Sequence, residues 1–157
     1  MDIRLTETVT DLIHLMDQTA VLSEDEQDRL YQAHRDSHKI DFLASERVQQ
    51  AQIKEIEQRH QERMGSLLNK LWQKSLSRDN QGDLKLHAAL TIEFFKEYMK
   101  TGNAPPPASP LRVAILLRKH QQKDLEKQFL AAWVRHFSGV IGTGYQKLDA
   151  RYRKLKS

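Results

Sequence analysis

The stretch Glu24 to Ser77, EDEQDRLYQAHRDSHKIDFLASERVQQAQIKEIEQRHQERMGSLLNKLWQKSLS, decides the fold class. It contains no proline and one glycine, Gly65. Its middle is dominated by Glu, Gln, Arg and Lys, residues that lose little side-chain freedom in a helix. Ser23 with Glu26 opens it as a capping box, and Glu24 and Asp25 suit the positive end of a helix dipole. Unbroken, residues 24–77 would extend about 80 Å at about 1.5 Å per residue. Asp36 to Lys39 is where a bend is expected, because Asp and Ser compete there for backbone hydrogen bonds. A helix so long and polar needs a second helix along its seam. The apolar stripe of Met64, Leu67, Leu68, Leu71 and Trp72 is the expected self-association surface.

Upstream, Leu5, Val9, Leu12, Met16 and Ala20 recur every three or four residues and predict an amphipathic helix ending near Leu22. After residue 77, Arg-Asp-Asn-Gln-Gly-Asp is a turn, and Leu84 to Lys100 is a helix stopped by Gly102. Residues 24–100 therefore read as a long helical hairpin or coiled coil. Asn103-Ala-Pro-Pro-Pro-Ala-Ser-Pro110 reads as a semi-rigid spacer. Ser109 is expected to cap the next helix, with Pro110 at its first position and its end near Phe137. Gly139, Gly142 and Gly144 form a loop before a last helix bearing Tyr145, Leu148, Tyr152 and Leu155 on one face. The expected fold is all-α, divided into 1–102, a proline-rich linker 103–110, and a basic helical region 111–157.

The 157 residues are 39% hydrophobic and 29% charged, enough for a core of moderate size with large solvated faces. With no cysteine, disulfides, thiol catalysis and thiolate metal sites are excluded. The acid-bearing N-terminus lacks a signal-peptide layout, and no apolar run approaches a membrane span. A cytoplasmic protein without membrane contact is expected.

Chemistry-bearing constellations are few. His34 and His38, one turn apart, with Asp41 beyond, have metal-ligand spacing but no distal ligand motif, so two solvated histidines are the better reading. The glycine loop resembles a phosphate cradle only loosely, since a helix precedes it and no Gly-Lys-Ser/Thr follows. No serine lies in a nucleophile-elbow context, and most acids fall on solvated faces. Neither an enzyme, nor a cofactor, a metal or a small-molecule substrate is expected.

Charge is the sharper signal. Net charge is +4. Residues 1–41 hold four Lys/Arg against ten Asp/Glu, and residues 110–157 hold eleven against three. Lys147, Arg151, Arg153, Lys154 and Lys156, interleaved with Tyr145 and Tyr152, are expected to contact nucleic acid or an acidic protein surface, Tyr152 by stacking on unpaired bases. The expected function is a non-catalytic helical assembly or adaptor protein that binds itself or another helical protein through its long helix. The alternative is an accessory subunit of a nucleoprotein complex, acting through the basic end. The acidic N-terminus is a third candidate mate for that end.

Overall fold

A computed structural model describes residues 3–36, 39–40, 43–64 and 66–156. The helices are α1 (Ile3–Gln18), α2 (Glu24–Asp36), α3 (Glu46–Met64), α4 (Leu67–Ser75), α5 (Leu84–Thr101), α6 (Ala108–Lys119), α7 (Lys123–Phe137) and α8 (Thr143–Lys156), with one 3-10 turn at Arg78–Asn80. There is no strand among the described residues. No described helix is long and apolar enough to cross a membrane.

The stripe predicted for α1 is buried, with Val9, Leu12 and Met16 fully enclosed. Ser23 opens α2: its oxygen accepts the Glu26 N–H at 3.1 Å, and its hydroxyl donates to the Glu26 carboxylate at 3.0 Å. The carboxylate thus reaches the serine oxygen, where a capping box would send it to the cap amide.

The stretch 24–77 is not one helix. α2 stops at Asp36, whose carbonyl accepts from Lys39 N at 3.2 Å while its carboxylate pairs with Lys39 Nζ at 2.9 Å. α4 starts afresh at Ser66, an N-cap whose oxygen accepts the Asn69 N–H at 3.3 Å. The Ser66 cap marks one break and the Asp36–Lys39 contacts the other, so a rod of about 80 Å is replaced by three shorter helices. α2 buries none of its residues. It is seated on the end of α5, where a Cβ at Gly102 (φ 72°) would lie 2.5 Å from the Gln27 carbonyl oxygen.

The core lies among α1, α5, α6, α7 and α8. Phe95, Phe129, Trp133, Phe137 and Tyr145 fill it, with Trp133 and Phe137 ring centroids 4.3 Å apart. The single helix expected from Ser109 to Phe137 is two, folded back at residues 120–122. Gln121 takes a left-handed φ of 59°, Gln122 N donates to Leu117 O at 2.8 Å, and Gln121 N to Arg118 O at 3.0 Å. That is a helix stop normally signalled by glycine, here made by glutamine.

The proline segment lies on the core and does not stand off as a spacer. Pro105 and Pro110 are buried, the Tyr145 hydroxyl donates to the Pro105 carbonyl, and α5 packs on α6 across the segment. A Cβ on Gly144 would stand 2.4 Å from Pro107 Cγ, so this glycine permits a close approach of α8 to the proline corner.

Two buried histidines make stability pH-dependent. His136 Nε2 lies 2.8 Å from the Met16 carbonyl and His87 Nε2 lies 3.1 Å from that of Asn80. Burial, the largest cause, lowers both imidazole pKa values below 6.5. Well above pH 6.5 both are neutral in either state. Below it the unfolded chain takes up protons that the folded chain resists. Stability should therefore fall by up to about 1.4 kcal/mol per pH unit for each imidazole until the folded pKa is passed. Urea unfolding between pH 7.5 and pH 5 should show this slope, and His136→Gln should reduce it.

Candidate anion-binding groove

The site grows from a misplaced charge. Glu126 lies on the same face of α7 as Phe129, Leu130 and Trp133, and it is fully buried. A carboxylate there requires compensation. Arg118 of α6 supplies Nε to Oε1 at 2.8 Å, and Arg151 of α8 supplies Nη2 to Oε2 at 3.0 Å. One carboxylate thus ties three helices together and holds two guanidiniums side by side. Their side chains remain 42% and 29% exposed, so both also face outward.

Around them opens a groove of about 600 Å³ lined by Arg118, Ala150, Arg151, Arg153 and Lys154. Arg153 Nη2 pairs with Asp149 Oδ2 at 2.8 Å on the surface of α8. The acids that pair with Arg118, Arg151 and Arg153 belong to α7 and α8 themselves.

The structure brings Arg151, Arg153 and Lys154 together and separates the other residues of the predicted cluster. Lys147 is exposed outside the groove lining. Tyr152 is half-buried against the core, with Lys156 Nζ 5.9 Å from its ring centroid. Glu126 was missed by sequence reasoning, although an acid on an otherwise apolar helix face was a legible anomaly.

The residues expected to self-associate divide differently. Leu67 is 58% exposed. Leu68, Leu71 and Trp72 are half-buried on α4, which packs on α5, and Trp72 meets Phe94 edge-on at 5.8 Å. The Met64 side chain lies outside the described residues, as do His38 and Asp41 of the metal-spacing set; His34 is half-buried on α2. Among the described residues no three His, Cys, Asp or Glu gather as a metal site.

No family model, curated protein or solved structure matches this chain.

Proposed function

We propose that this chain is a non-catalytic helical binding protein that docks a polyanion, namely a nucleic-acid backbone, through α6 and α8. The observation that carries this reading is the groove lined by Arg118, Arg151, Arg153 and Lys154. Residues 110–157 hold eleven Lys/Arg against three Asp/Glu, which adds long-range attraction around it. Glu126 holds two of the guanidiniums in place, which reduces the ordering cost of binding.

The test is fluorescence anisotropy with labelled duplex DNA and single-stranded RNA at low salt. Lys147, Arg153, Lys154 and Lys156 are changed together to Glu, and Arg151 is kept because Glu126 depends on it. Binding should be lost while the thermal midpoint stays near that of the wild type. For the wild type, log affinity should fall linearly with log salt, by about 0.9 per phosphate neutralised on duplex and about 0.7 on single strand. Absence of wild-type binding at low salt, or an unchanged variant, would remove the proposal. Tyr152→Ala should lower stability more than it alters preference for single strands, given its packing on the core.

A second reading, assembly through the polar helices, has its own support. Among its described residues α3 buries no side chain, and Leu67 on α4 and Leu76 at its C-cap stand 58% and 60% exposed. Leu67→Asp should then shift sedimentation from an oligomer to a monomer without a loss of helicity. A wild type that sediments as a monomer at every concentration would end this reading.

A further inference from the structure

A second concave site lies on α6, apart from the groove. A pocket of about 220 Å³ sits where α4, α5 and α6 meet, and Trp72, Leu76, His87, Ala108, Ser109 and Arg112 line it. Three features converge there. The first is the start of α6. Pro107 already has helical angles (φ −79°, ψ −7°), so the helix begins at Ala108 and no side chain caps it. The first N–H to close a helical turn is that of Leu111, onto Pro107 O at 3.0 Å. The N–H groups of Ala108 and Ser109 are the unsatisfied donors of a helix N-terminus.

The second feature follows from the first. Ser109, expected as the cap, is the second residue of the helix instead, and its hydroxyl is released from capping. It is 3% exposed, lines the pocket, and makes no side-chain hydrogen bond among the described residues. His87, 4% exposed, forms another part of the lining. Its Nε2 faces the Asn80 carbonyl at 3.1 Å, and its Nδ1 is buried without a partner. The third feature is Arg112, one turn beyond Ser109 on the same helix face, which enters none of the ion pairs among the described residues.

We propose that this pocket binds a small oxyanion, a phosphate or carboxylate group on a compact apolar body, held by the α6 N-terminus, the Ser109 hydroxyl and the Arg112 guanidinium. Helix N-termini favour anions through oriented N–H groups and the helix dipole. Arg112 adds a planar fork matched to either oxyanion. Trp72 and the exposed Leu76 supply an apolar wall, so an organic acid or phosphate ester fits better than the bare ion. Nothing in the local sequence advertises such a site, because Ser-Pro reads as a cap and first turn.

The full chain should be titrated with inorganic phosphate and, separately, with benzoate, at constant ionic strength, and followed by amide and indole nuclear magnetic resonance. Saturable shifts of the Ala108 and Ser109 amides are expected with at least one probe. Benzoate should also move the Trp72 indole resonance. Binding by phosphate alone identifies a phosphate group as the ligand chemistry, and binding by benzoate alone a carboxylate. Arg112→Gln should weaken binding about tenfold or more, and Arg112→Lys less, since the charge remains and the fork is lost. Ser109→Ala, a smaller change, should weaken it several-fold, so the site can be judged even where Arg112→Gln unfolds. Arg153→Gln with Lys154→Gln, in the groove, should leave the Ala108 and Ser109 shifts unchanged. Failure of both probes to saturate at these amides, or shifts confined to α8, would overturn the proposal and leave the groove reading untouched.

Discussion

Replacing Arg118 and Arg151 together by alanine should lower the unfolding free energy by about 3–5 kcal/mol, because it strands a buried carboxylate. Glu126 is fully buried, and the two arginines are its ion-pair partners at 2.8 and 3.0 Å. Either arginine alone can still compensate the charge, so each single substitution should cost well below half of the double. The cycle should therefore be strongly non-additive. Removing Glu126 instead, as Glu126→Gln, should cost less than the double variant. The arginines it leaves are 42% and 29% exposed and can recover water. A triple replacement by Met, Leu and Met should regain most of the loss, as buried ion pairs commonly do when exchanged for apolar groups of similar volume. Urea unfolding of the five variants measures all of this. Additive single and double effects, or a double variant as stable as the wild type, would show that the carboxylate is not held by these two arginines.

The same cluster bears on where the positive charge of the C-terminal region goes. An acidic N-terminus and a basic C-terminus suggest mutual neutralisation along the chain. The ion pairs of Arg118, Arg151 and Arg153 run instead to Glu126 and Asp149, within α6 to α8. With eleven Lys/Arg against three Asp/Glu, residues 110–157 retain a large positive excess after these pairs form. That excess is what an anionic partner would meet, and a steep salt dependence is its signature.

What was legible in the sequence follows the physics of each element. The stripe of Val9, Leu12 and Met16 is periodic and buried, because a helix packed on one side must repeat its apolar residues at that period. Ser23 and Glu26 form their local cap because the interaction needs no other part of the chain. The breaks at Ser66 and Gln121 were harder to see. Serine is common inside helices, and a glutamine in the left-handed region carries no compositional signal; tertiary packing of α6 on α7 imposes it. The composition of the proline segment favours an extended spacer, but the Tyr145 hydroxyl and Gly144 draw it onto α8. Of the groove, the basic cluster was visible and its organisation was not. Arg118 lies far from Arg151 in sequence, and only the fold places both on Glu126. The α6 pocket was invisible for a similar reason, since it depends on where a helix starts to within one residue.

Trp133→Ala should be about as damaging as stranding Glu126, costing about 3–5 kcal/mol. Trp133 is 1% exposed and joins α7 to α8. Its ring lies 6.2 Å from that of Phe129, 4.3 Å from that of Phe137, and stacks on that of Tyr145 at 5.9 Å. Truncation would open a cavity that three rigid aromatic rings cannot collapse to fill, so the cavity term adds to the lost burial. The thermal midpoint should fall by roughly 10 °C or more, at about 2–4 °C per kcal/mol for a domain of this size. Trp133→Phe should cost far less than the alanine change. It keeps most of the ring and removes the indole Nε1–H, which is buried without a partner and so carries an uncompensated desolvation cost. The damage from alanine should also spread in a defined direction. Tyr145 rests on Trp133 and donates its hydroxyl to the Pro105 carbonyl, so α8 and the proline corner should lose amide-exchange protection before α1 does. Equal losses of protection in α1 and α8, or a Phe variant as unstable as the Ala variant, would refute the idea that Trp133 acts as the packing link between the proline corner and the core.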